Sequence, residues 1–196
     1  MSKSRAVTRL TAVAMLGLVV ACSSGNRTVP TSSDVAQAHA SHARVTNGEL
    51  TADQKQAIAA VRNATNKFHD FEWATSANGG GYTQQFPAGC AAIATGAQGV
   101  HYLNPSLAAD PAIDLLRPEL LMYEPGPNGQ MKFVGVDYVT PLPNPPGTPP
   151  QLLGVDFAPL GAPLNVWALH IWAWRPNPDG MFAMWNPNVS CANYTP

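Results

Sequence analysis

The stretch LLMYEPGPNGQMKFVGVDYVT (120–140) decides the fold. It holds two apolar runs, LLMYE (120–124) and MKFVGVDYV (131–139), on either side of PGPNGQ (125–130). Asn128-Gly129 marks a hairpin turn, because both residue types tolerate the positive φ that a tight β-turn demands. In the second run Met131, Phe133 and Val139 alternate with Val134, Val136 and Tyr138, so both faces are apolar. A strand of that kind is covered on both sides. The hairpin therefore belongs inside an antiparallel sheet with material packed on each face.

Toward the C-terminus, VWALHIWAW (166–174) and MFAMW (181–185) flank RPNPDG (175–180), which predicts a second hairpin turning at Asp179-Gly180. Its longer strand sets Val166, Trp172 and Trp174 against Trp167, Leu169 and Ile171, and Trp172 and Trp174 fall on the face of His170. GVHYL (99–103) reads as a further strand. Between the two hairpins, residues 140–164 carry eight prolines. Proline has no donor for a sheet ladder, so this segment is expected as a long semi-rigid loop.

Toward the N-terminus, Thr51 and Gln54 have the spacing of a capping box. Ile58, Val61, Thr65, Phe68 and Phe71 then recur at steps of three or four, which predicts an amphipathic helix from 52 to about 75, ended by Asn78-Gly79-Gly80-Gly81. The expected fold class is α+β: one long N-terminal helix packed on a curved antiparallel sheet, or a small β-barrel, of five or six strands. It makes a single globular domain over 51–196, with the proline-rich loop 140–164 inside it.

Ahead of the domain the chain reads as a targeting segment. Lys3, Arg5 and Arg9 precede the apolar run LTAVAMLGLVVA (10–21), which is short for a bilayer span. It ends in VVAC (19–22), which resembles the lipobox of bacterial lipoprotein signal peptides. The resemblance implies removal of residues 1–21, lipid attachment at Cys22 and export to the cell envelope, anchored to the membrane. Residues 22–50 have the small and polar composition of a flexible tether.

Charge narrows the function classes. Charged residues are 12% of the 196, about half the usual share of ~25%. The whole chain is −1; without residues 1–21, eight Lys and Arg stand against twelve Asp and Glu, a net −4. That excludes a basic nucleic-acid footprint. If Cys22 carries lipid, Cys90 and Cys191 remain as an even pair in an oxidising compartment, which favours a disulfide pinning the C-terminal tail near the start of strand 99–103. Two free thiols or thiolate metal ligands are the competing readings, and no CxxC supports the latter.

Four polar groups interrupt otherwise apolar strands: His101, Glu124, Asp137 and His170. Two histidines with one or two carboxylates form a ligand set for a divalent metal such as zinc, iron or manganese. The same groups can also form a hydrogen-bonded structural network, or a His–carboxylate acid–base pair. Trp172 and Trp174 beside His170 could line a small-molecule pocket or simply pack the core. Three functions follow: a module binding a small ligand or a metal, a hydrolase or isomerase using a histidine base, and a non-catalytic envelope protein that docks a partner through loop 140–164.

GVHYLNPSL (99–107), RPELLMYEP (117–125), FVGVDYVTP (133–141) and LHIWAWRPNPDGMFAMWNPNVSC (169–191) together resemble a family of small exported bacterial proteins of unknown function. The resemblance covers most of 55–191. It implies one exported domain with Cys90 and Cys191 as a matched pair, and it implies no activity.

Overall fold

The computed structural model describes residues 49–143 and 145–196. The expected signal peptide, Cys22 and all but the last two residues of the expected tether lie outside the described residues.

The capping box forms as its spacing requires. Thr51 Oγ1 accepts the Gln54 N–H at 3.2 Å, and Gln54 Oε1 accepts the Thr51 N–H at 3.0 Å. Helix α1 then runs Ala52–Thr65, not to 75. A 3-10 turn, Asn66–His69, follows it, and a second helix α2 spans Phe71–Thr75. The break sits at Asp70, whose backbone is extended and whose carboxylate accepts the Trp73 N–H at 3.0 Å. A side chain that competes for a backbone donor ends one helix and caps the next. The long continuous helix is thus replaced by three pieces, although Ile58, Val61, Thr65 and Phe68 remain on one buried stripe.

The strands are β1 (Gln84–Ile93), β2 (Gly96–Leu103), β3 (Leu120–Pro125), β4 (Met131–Pro141), β5 (Gln151–Leu152), β6 (Val155–Asp156), β7 (Ala158–Leu160) and β8 (Val166–Ile171), with a one-turn helix α3 at Pro105–Ala108. Six of them form one antiparallel sheet in the order β1-β2-β3-β4-β8-β7, curled into a half-barrel. The β3–β4 hairpin turns at Asn128 (φ 64°) and Gly129 (φ 76°), as its sequence predicts.

Four expectations need correction. The alternation in β4 is interrupted by a bulge: Met122 pairs with Gly135 but Tyr123 pairs with Phe133. The extra residue shifts parity, so Phe133 shares a core cluster with Val136 and Tyr138, while Val134 faces the other way beside Met122. The second hairpin does not form. Strand β8 stops at Ile171, the chain turns sharply there (Ala173 N–H to Ile171 O, 2.8 Å), and 181–185 makes no strand. That turn sends Trp174 to the face opposite His170, where its Nε1 donates to Thr65 Oγ1 at 3.2 Å and its ring meets His69 edge-on. The proline-rich stretch, finally, is not one loop. It folds the small β5–β6 hairpin and supplies β7, where Pro159 lies on a sheet edge opposite Trp167 and needs no ladder donor on its outer side.

The core has two parts, one on each face of the sheet. α1 lays Ile58 and Val61 against Leu121, Tyr123, Phe133, Tyr138 and Ile171 on one face, together with Val155 and Phe157 from the proline-rich stretch. On the other face Met122, Val134 and Trp172 pack with Ala97 and Val189.

Candidate metal centre

Strand pairing sets the positions of the polar groups. Asp137 on β4 is directly opposite His170 on β8, and His101 on β2 is opposite Met122 on β3. β2 and β8 are three strand spacings apart, about 14 Å in a flat sheet. The two imidazole rings nonetheless lie 5.7 Å apart, centroid to centroid. The curl of the half-barrel brings the side chains on this face within reach of one another. Gly135 lets the strands close up here, since a Cβ would lie 2.6 Å from Ile171 O and 2.7 Å from Met122 Cε.

One ligand atom from each of His101, Asp137 and His170 lies within 4.8 Å of the others, and all three residues are buried. His170 Nε2 is 3.5 Å from Asp137 Oδ2. His101 Nδ1 and Asp137 Oδ1 are buried and make no hydrogen bond. Each such orphan costs about 1–3 kcal/mol, so an apolar pocket that retains them needs a reason to do so.

Burial also sets the charge states. It pushes His101 down to about 4, which leaves the imidazole neutral at physiological pH and fit to act as a ligand. It pushes Asp137 well above the usual carboxylate range. Negative charge on Glu119 adds to that shift, and the backbone N–H groups of Leu169 and Tyr138 offset it only in part. A divalent cation in the same space reverses this balance by stabilising the carboxylate.

Three of the four polar groups singled out from the sequence therefore meet, and Glu124 does not join them. It lies near the far end of β3, where its carboxylate accepts the Ser190 N–H at 3.0 Å and stands 3.7 Å from Arg175 Nη2. There it borders a separate cavity of about 850 Å³, shared with Phe71, Asn128, Lys132, Arg175 and Asn193. Trp172 does border the triad, with its ring stacked at 20° to that of His170, 6.2 Å away. Trp174 is on the opposite face, for the reason given above.

Glu119 was missed. It is 2% exposed, its Oε2 accepts the Val139 N–H at 3.2 Å, and burial raises its pKa to about 7. Nothing in the sequence sets Glu119 apart except its place directly before an apolar run.

Cys90 and Cys191 form the disulfide, with Cα atoms 5.8 Å apart. The bond joins the tail to β1, where Cys90 pairs with Val100 beside the start of strand 99–103, as expected. No family model matches the chain, and no curated protein or solved structure matches it either.

Proposed function

We propose that this domain is an exported, lipid-anchored module that holds one divalent transition-metal ion between His101, Asp137 and His170. The observation that carries the reading is the convergence of three ligand atoms from three strands, within 4.8 Å, in a pocket where two of the polar atoms have no hydrogen bond. Two imidazoles and one carboxylate suit zinc, iron(II) or manganese and leave further coordination positions for water or a small ligand. The even cysteine pair, the lipobox-like VVAC and the resemblance to exported bacterial proteins support the location.

The hydrolase or isomerase reading draws on the same His170–Asp137 pair. Burial of both histidines to 2% exposure favours a held ion over turnover of a diffusing substrate. Metal analysis with native mass spectrometry of the purified protein tests the proposal. One divalent ion per chain, lost in His101→Ala and in His170→Ala, is the expected result. A metal-free chain that takes up no zinc, iron(II) or manganese on incubation contradicts it.

A further inference from the structure

A buried ion must have a way in. After β8 ends at Ile171, the chain turns and then crosses the face that carries the triad toward β2 and β1. Trp172 Nε1 donates to Ala183 O at 2.6 Å, and Gln98 Nε2 on β2 donates to Met184 O at 3.0 Å. Asn186, fully buried, then exchanges both backbone hydrogen bonds with Ala97 on β2, each 3.1 Å. Val189 packs into the cluster that holds Trp172 and Met122, the neighbours of His170 and His101. Cys191 is finally bonded to Cys90 on β1, the far edge of the sheet. Residues 183–191 thus form a strap across to β2 and β1 on the face that carries the triad, reached from Trp172 through a loop whose Ala173, Trp174 and Phe182 pack with the cluster on the other face. It is anchored covalently at one end by the main chain and at the other by the disulfide.

We infer that this strap is the lid of the metal chamber and that the Cys90–Cys191 bond is its latch, setting the rate at which a divalent ion enters or leaves. The inference rests on the metal reading above and adds its regulation. With the latch closed, the strap cannot swing away as a free tail; ion exchange waits on breathing of the whole half-barrel. With the latch open, the tail frays from its end, as unanchored termini do. A dithiol reductant opens it by thiol–disulfide exchange: the reductant's two thiols are oxidised to a disulfide, the Cys90–Cys191 bond breaks, and each cysteine takes one electron and one proton of the two of each transferred.

The test uses Co²⁺ as a visible probe. Cobalt-loaded oxidised wild type and a cobalt-loaded Cys90→Ser/Cys191→Ser double variant are each mixed with excess EDTA, and loss of the cobalt absorption is timed. The expected result is the same stoichiometry in both, with release at least tenfold faster from the double variant. Equal release rates at equal stoichiometry overturn the latch and leave the metal reading standing. Failure of both forms to bind Co²⁺, with both folded, overturns the metal reading and the latch together. Amide hydrogen exchange on reduced and oxidised wild type gives a second readout that needs no variant. Reduction should expose the Ala97 and Asn186 amides while those pairing β3 with β4 stay protected, and unchanged protection of the strap amides overturns the inference.

Discussion

At Asp137 a carboxyl is held among apolar groups, opposite an imidazole, with one oxygen lacking any hydrogen bond. An arrangement that costs stability in the metal-free state and gains it with a cation is expected to separate the two states by mutation. Asp137→Asn keeps the shape and removes the charge. It should lower retained metal at least tenfold while leaving the metal-free melting temperature equal or higher, read by metal analysis and thermal unfolding side by side. Glu119 gives a pH signature. Folding raises its pKa from the ordinary 4.5 to about 7, so the folded state binds the proton more tightly. That stabilisation is full below about pH 4.5 and is lost as pH rises through 7. Glu119→Gln cannot ionise, and the metal-free variant should therefore gain on wild type between pH 5 and pH 8, by roughly 2–3 kcal/mol in urea unfolding. A constant difference across that range would mean that Glu119 keeps an ordinary pKa. His101, Asp137 and His170 were legible in the sequence as polar residues inside apolar runs. Glu124 met the same criterion and is elsewhere, because it stands four residues along β3 from Leu120, the residue across from Asp137, a displacement of about 13 Å.

The elements show where local patterning suffices and where it fails. The β3–β4 hairpin was legible because Asn128-Gly129 fixes the turn chemically. The bulge at Phe133–Gly135 was not, since nothing in an apolar run marks which residue is extra. The β8 end was not legible for a related reason: Trp172-Ala173-Trp174 continues the apolar pattern past the point where the backbone turns, and only tertiary contacts separate Trp172 from Trp174. The helix reads as continuous in sequence because its 3.6-residue period survives the break. Asp70 is the residue that decides it, and Asp70→Ala removes the bond to the Trp73 N–H. The expected cost is about 1 kcal/mol in chemical denaturation, with loss of helicity confined to 66–75. Gly135→Ala tests the tight contact of β4 with β8. Its Cβ would press on Ile171 O and Met122 Cε, so a destabilisation of about 1–3 kcal/mol is expected from unfolding curves.

For the whole molecule, a curved sheet of six strands was legible, but the register that brings the triad together was not. Register and curvature depend on how six strands pair, and only together do they bring β2 within reach of β8. The disulfide was legible by counting cysteines. Its landing beside the start of strand 99–103 was legible too, but β1 itself was not, because Pro87, Gly89 and the irregular pairing between Gln85 and Cys90 hide that strand. The bond closes a sequence separation of 101 residues, so reduction should lower stability by about 2–5 kcal/mol in denaturant unfolding of the metal-free protein. The convergence of the triad and the metal it is proposed to hold are open to one direct observation. A crystal grown with Zn²⁺ and measured at the zinc absorption edge should show a single strong anomalous peak inside the half-barrel, about 2.0–2.2 Å from one ring nitrogen of His101, one ring nitrogen of His170 and one carboxylate oxygen of Asp137. Anomalous density only at surface sites, with the three side chains in place and no peak between them, would contradict the metal reading.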